Sequence, residues 1–223
     1  MADITYQFNC EDGSEHRYTV TLSDGSEPLP PEEELADWTK LEFEQCEGCR
    51  WDKTDRCPVA VKLMGPAKAM SEMRSFDNVD VSVTTPDRTY SKGSTAQEAL
   101  GSLFGLVMAQ SGCPTFEPFK GLAWFHLPFA NRQETLFRLA SSYLLRQFMA
   151  GEEPRHEDGM MLDIQGIYAD INHTNRGITQ RLLKGLEPES NSMLNAIIIL
   201  DSNSSVVSYS VEQGFKELRE RFV

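Results

Sequence analysis

Cys46, Cys49 and Cys57 stand close together as Cys-x2-Cys-x7-Cys, and Pro58 follows the last of them. Thiolates are soft donors. A pair two residues apart on a tight turn can clamp one metal ion, and a third eight residues on can join it. A closed tetrahedral zinc site needs a fourth N or S ligand. Cys113 is the expected fourth, because it too precedes a proline and sits at an expected helix-to-loop junction. His126, within Trp124-Phe125-His126-Leu127-Pro128-Phe129, is the alternative. Four thiolates would also suit an iron–sulfur cluster, and a Cys-Pro step accompanies one ligand of the bacterial ferredoxin motif, but the repeated two-residue gaps of that motif are missing. Without metal, the cysteines would be reduced thiols, or Cys46 and Cys49 a reversible disulfide. Glu44, Glu47, Asp52 and Asp55 surround them. Carboxylates raise thiol pKa values and disfavour a nucleophile, while they favour a bound cation. The expectation is a structural metal site of Cys46, Cys49, Cys57 and Cys113, holding zinc, with an iron–sulfur cluster as the alternative cofactor. Cys10 is in phase with Phe8 and reads as a small core residue.

Other chemistry is sparse. Asp163, Asp170 and His173 share one side of an expected helix, but a carboxylate-bridged metal site would need matching acids on other helices. They read as a solvated face. His16 and His156 fall in a strand and a charged loop. No Gly-x-Ser-x-Gly, Walker loop, dinucleotide fingerprint or His-Glu-x-x-His occurs. Gly93-Ser94-Thr95, with Arg88 and Lys92 near, could offer N–H groups to an anion at a helix start. A pocket between sheet and helices near Arg88, Tyr90 and His126 is the one place where an enzyme site would fit.

The elements that must position these residues divide the chain at about residue 92. Residues 1–92 read as a β-rich region carrying the cysteines, and 93–223 as a helical region packed on it. Ile4, Tyr6 and Phe8 alternate with polar residues, as do Tyr18, Val20 and Leu22, and Glu11-Asp12-Gly13-Ser14 is a turn between them. Ser23 to Glu34 reads as an exposed connection. Leu41 and Phe43 predict a strand into the first cysteine pair, and Val59, Val61 and Leu63 one out of Cys57, so the metal site is expected at a strand–knuckle–strand tip. A short helix is expected over 66–74. Val79, Val81 and Val83 predict a strand, with 88–90 pairing back. Ser94 and Gln97 have capping-box spacing before a helix that buries Ala96, Leu100, Leu103 and Val107 and stops at Gly112. Gly101 and Gly105, one turn apart, predict a closely packed neighbour. Asn131 and Glu134 start the next helix, which is expected to bury Leu136, Leu139, Tyr143, Leu144 and Phe148 and to end at Gly151. Met161, Ile164, Tyr168, Ile171, Asn175, Ile178 and Leu182 form a heptad-like seam, matched by Met193, Ile197, Leu200, Ser204, Val207, Val211, Gly214 and Leu218. Gly185 and Pro188 break a helical hairpin between them. The seams read as bundle core, with a dimer interface through the C-terminal helices as the alternative.

The charge sets further bounds. The net charge is −13. Eight acidic residues and one lysine lie between Glu27 and Cys49, about half of that imbalance. Nucleic acid, which recruits cationic surfaces, is excluded as a partner. The acidic run reads as a solvated face, or as a docking surface for a basic partner. No apolar run approaches the roughly 20 residues that span a bilayer. The N-terminus lacks a secretory signal, and the expected location is cytoplasmic.

Ser102-Leu103-Phe104-Gly105-Leu106-Val107-Met108-Ala109-Gln110-Ser111-Gly112-Cys113-Pro114 and Phe125-His126-Leu127-Pro128-Phe129, with the cysteine cluster and the N-terminal hairpin, resemble a family of small cytoplasmic bacterial proteins of unknown function. The resemblance spans nearly the whole chain. It implies a bacterial source and sets Cys113 and His126 near the cysteine cluster, and it brings no activity or substrate. The expected protein is α+β: a small antiparallel sheet with a metal knuckle, followed by a helical bundle. It is expected to be a zinc-stabilised interaction or regulatory protein, not an enzyme, working through a protein partner or as a homodimer. An iron–sulfur or dithiol redox or sensing protein is the alternative.

Overall fold

Alternating apolar residues bend the start of the chain into a hairpin, β1 (Ala2–Cys10) and β2 (Glu15–Leu22), in a computed structural model that describes residues 2–23, 30–153, 157–186 and 191–222. Ile4 pairs with Val20 and Tyr6 with Tyr18. The reversal is closed by Cys10 N–H on the Ser14 carbonyl at 2.9 Å. β3 (Asn78–Thr84) then pairs antiparallel with the other edge of β1, Val83 opposite Tyr6 and Val81 opposite Phe8, and β4 (Thr89–Thr95) pairs with β3. The sheet order is β2-β1-β3-β4. Ile4, Tyr6, Phe8, Val79, Val81 and Val83 are buried on one face. The cysteine segment is the insertion between β2 and β3.

Helices follow: α1 (Pro58–Ala69), α2 (Ala96–Ala109), α3 (Lys120–Trp124), α4 (Arg132–Ala150), α5 (Glu157–Gly185), α6 (Asn191–Glu212) and α7 (Lys216–Phe222). The fold class is therefore α+β, as expected. The strand–knuckle–strand unit is not what forms. Val59, Val61 and Leu63 lie in α1, which opens on Pro58 with Cys57 as its N-cap. Proline at the first helical position is already at the φ a helix needs, and its missing N–H costs nothing there. Val59, Ala60, Leu63 and Ala67 recur at helical spacing and are buried, which outweighs the β preference of two valines. Leu41 and Phe43 lie in turns, and the segment is tied by a single bridge between Lys40 and Arg56. The helix expected over 66–74 is only the last turn of α1.

α2 is capped differently from expectation. Thr95 is its N-cap, and Ser94, still in β4, donates to the Glu98 carboxylate at 2.9 Å. That carboxylate repels anions, and the backbone of Gly93 to Thr95 is paired in the sheet, so no anion site is built there. The capping box of Asn131 with Glu134 and the left-handed stop at Gly151 (φ 69°) are both present on α4. Leu136 and Leu139 are buried as expected and Tyr143 partly so, but Leu144 and Phe148 are exposed.

α5 and α6 form the expected hairpin. Ile164, Tyr168, Ile171, Ile178 and Leu182 meet Met193, Ile197, Val207 and Val211, all buried within the one chain. Asn175 Nδ2 donates to Ser204 Oγ at 3.4 Å, a polar tie across the seam. α6 is also the close neighbour that Gly101 and Gly105 implied. A Cβ at Gly101 would stand 3.8 Å from the Ala196 carbonyl oxygen, and one at Gly105 would stand 3.8 Å from Leu200. Among the described residues no helix is long and apolar enough to cross a membrane. His156 and Pro188, and part of the 23–34 connection, lie outside the described residues.

Candidate functional site

α5 is the rail on which the cysteine loop lies. Its inner seam faces α6, and a second stripe, Asp170, His173, Thr174, Gly177, Arg181, Lys184 and Gly185, faces residues 38–50. Arg50 pairs with Asp170 at 3.1 Å, Lys184 with Glu44 at 2.5 Å, and His173 stands 3.9 Å from Glu47. Glu32 pairs with the buried Arg56, and Asp37 with Lys40. Much of the acidic run is thus met by cations of the same chain. Asp170 and His173 serve as loop anchors, and Asp163 accepts from the Tyr143 hydroxyl instead, so the three do not gather into a site.

Arg181 is the centre of this contact. Its side chain is fully buried, and it donates to the carbonyls of Trp38 (3.0 Å), Lys40 (2.5 Å) and Leu41 (2.8 Å). Its Nε–H is sealed from solvent without a partner. Two glycines let the loop come close. A Cβ at Gly185 would fall 2.3 Å from Trp38, and one at Gly177 would fall 2.6 Å from Cys46 Sγ and 3.1 Å from its Cα. Alanine is favoured over glycine by about 1 kcal/mol in a helix interior, so Gly177→Ala should stabilise α5 if packing were neutral. The expected result is the reverse, a net loss of about 1–3 kcal/mol in urea denaturation as the Cys46 turn is pushed off the helix.

Cys46 and Cys49 flank a tight turn, with Cys49 N–H on the Cys46 carbonyl at 3.2 Å and Gly48 at φ 68°. A positive φ is cheap for glycine alone. Cys57 is the N-cap residue of α1 and makes no side-chain cap hydrogen bond, but the N–H groups of Ala60 and Val59 lie near enough to favour its thiolate. Cys113, at the start of the 3-10 turn over Pro114–Phe119, likewise makes no side-chain cap hydrogen bond, and Thr115 favours its thiolate. One residue of α5 joins the far members: the Thr174 carbonyl lies 3.9 Å from Cys46 Sγ, and its hydroxyl lies 3.4 Å from that of Thr115.

The electrostatics agree with this proximity. Burial pushes the Cys46 thiol up to about 12, with charge on Cys57, Cys49 and Cys113 adding to the rise and Arg181 opposing it. Burial also raises Cys57, against Arg181 and the two helix N–H groups. Cys113 is raised by burial, against Thr115, with Cys57 and Cys49 adding. Segments 46–49, 57 and 113 therefore bring their thiols within electrostatic reach of one another. They are not gathered to coordination distance, since among the described residues no three Cys, His, Asp or Glu side chains stand in ligand geometry. All five cysteines are free thiols, and Cys10, in β1, is partly buried against the core.

His126 is elsewhere. Its Nε2 is 2.6 Å from the Tyr6 hydroxyl, which is 2.8 Å from Ser102 Oγ, and that oxygen also accepts Phe129 N–H at 3.2 Å. None of the four thiols contributes to its electrostatic surroundings. It lines a cavity of about 470 Å³ bounded by α2 to α6, walled by Leu106, Phe116, Phe119, Leu122, Leu139 and Val207. Arg88 and Tyr90 do not line it. Burial first, and the Arg138 cation second, push His126 down to about 3. In the unfolded chain it titrates near 6.5. Between those values the unfolded state takes up a proton that the folded state refuses, so stability falls as pH falls through this window, by a little over 1 kcal/mol per pH unit. Urea denaturation at pH 7 and pH 5 should show a shallower acid-side loss for His126→Gln than for the parent; equal slopes would mean that His126 titrates normally.

Sequence reading found the cysteines and missed Arg181. The available signal was the spacing of Gly177, Arg181 and Gly185, two glycines flanking a cation on one face of a long helix. The chain belongs to the DUF6901 family, a domain of unknown function, which matches residues 4–223. No curated protein and no solved structure matches it.

Proposed function

We propose that this DUF6901 protein is a cytoplasmic interaction protein, bacterial in source, whose cysteine loop is held by one zinc ion on Cys46, Cys49, Cys57 and Cys113. The observation that carries this reading is the setting of Arg181. A zinc ion bound by four thiolates has a net charge of −2, and a buried cation with a spare N–H donor beside the thiols suits that charge. Such outer hydrogen bonds orient and tune metal ligands. The N–H groups near Cys57 and Cys113, which favour their thiolates, act in the same direction. Holding the ion would require the four sulfurs to come within about 2.3 Å of it.

The interaction role is supported by an apolar stripe outside the seams. Phe137, Leu144, Leu145 and Phe148 of α4 are exposed, with Phe222 of α7 stacked on Phe137 at 5.8 Å. A second copy of the chain is the proposed occupant, which moves the expected dimer contact from the buried seams to α4 and α7. Elemental analysis with a visible spectrum, on protein purified without air or chelator, tests the metal. About one zinc per chain and no colour supports the reading. Iron, sulfide and a brown colour would replace it with the iron–sulfur alternative, and absence of any metal would end it.

A further inference from the structure

The cavity bounded by α2 to α6 holds polar atoms that the protein does not use. Tyr168 is only 5% exposed. Among the described residues its hydroxyl, His126 Nδ1 and Asn175 Oδ1 have no hydrogen-bond partner, and all three residues line the cavity. Native interiors pair such groups with protein or with something bound. The volume, about 470 Å³, lies in the range of roughly 300–1,000 Å³ typical of small-molecule sites, which combine apolar walls with a few convergent polar groups.

One end is cationic. The half-buried Arg138 lines the cavity and gives two hydrogen bonds to the Leu122 and Phe125 carbonyls, both 2.9 Å. Among the described residues no carboxylate pairs with it. Its nearest acid along α4, Glu134, is spent on the Asn131 capping box. The Lys92 ammonium is 5.9 Å from the Phe129 ring centre on the same lining. Glu98, whose carboxylate accepts from Ser94, also lines the cavity and offsets the Lys92 charge, which leaves Arg138 as the cation for an anionic group. Both hydrogens of its Nη2 are spent on the Leu122 and Phe125 carbonyls, so the Nε–H and Nη1 donors are the ones left to give a carboxylate a charge-assisted bond.

We infer that this cavity binds an amphipathic monocarboxylic acid, its apolar body against the phenylalanine and leucine walls, its carboxylate at Arg138, and its polar substituents within reach of Tyr168, His126 and Asn175. This site is separate from the cysteine loop, and its test does not depend on metal.

Calorimetric titration of the full chain with decanoate, decanol and decylamine tests it. The expected result is saturable binding of one decanoate per chain, at least tenfold tighter than decanol, with decylamine weakest. Arg138→Gln should bring decanoate to the level of decanol. Gly105→Leu, which puts a side chain into the cavity from α2, should abolish both. Because Arg138 also holds the end of α3, its variant is to be read only if its circular dichroism matches the parent; the head-group series on the unaltered protein stands without it. Equal affinity for decanoate and decanol, binding that survives Gly105→Leu, or no binding of decanoate at millimolar concentration would each overturn the inference.

Discussion

Replacing Cys57 with serine is expected to empty the metal site and to lower the melting temperature by about 10–20 °C. Structural zinc contributes directly to folding free energy, and apparent binding energies in small zinc modules run to about 10–16 kcal/mol. In the proposed site the ion would hold only the loop between β2 and β3 and the turn at Cys113, so a loss of about 5 kcal/mol is the reasonable scale, at about 2–4 °C per kcal/mol for a chain of this size. Cys57 is the most telling position, because it is both a proposed ligand and the N-cap of α1. Serine is a favoured N-cap residue, so any change at the helix start is in the stabilising direction and a loss is to be assigned to the metal. A chelator should bring the parent protein down to the variant and leave the variant unmoved. Cys10→Ser, in β1, should change neither zinc content nor melting temperature. A Cys57→Ser protein that melts with the parent and is equally sensitive to chelator would remove the cysteine site from consideration.

Arg181→Leu is expected to cost about 3–5 kcal/mol in urea denaturation. The guanidinium is fully buried and serves three carbonyls of one loop. Removing it strands those acceptors away from water. Arg181→Lys should recover less than half of the loss, because an ammonium cannot span three carbonyls held by a planar fork. Arg181→Leu should also weaken zinc retention, since it removes the charge that offsets four thiolates, whereas Arg181→Lys, which keeps that charge, should largely preserve it. A loss below about 1 kcal/mol would mean that the loop is held by its glycine contacts and ion pairs alone.

Much of this architecture is legible in the chain, and the reasons differ by element. The β1–β2 hairpin, the seams of α5 and α6 and the Asn131 capping box follow from local rules in which periodicity and cap chemistry agree. α1 was misread because Val59, Val61 and Leu63 satisfy a strand period, while the Pro58 start and the 59, 60, 63, 67 spacing satisfy a helix, and burial on the sheet decides for the helix. The cysteines declare themselves by type and spacing. What places them does not, because Arg181 grips backbone carbonyls about 140 residues away, and backbone acceptors leave no mark on sequence. The cavity is hidden for a related reason. Tyr168 and Asn175 occupy seam positions, and nothing in a heptad pattern distinguishes a residue that fills the core from one that borders an opening in it.

X-ray absorption at the zinc edge of the purified protein tests directly whether the four cysteines share one ion. The expected result is a single shell of four sulfur scatterers at about 2.3 Å. A shell containing nitrogen or oxygen at about 2.0–2.1 Å, or protein that carries no zinc, would contradict it.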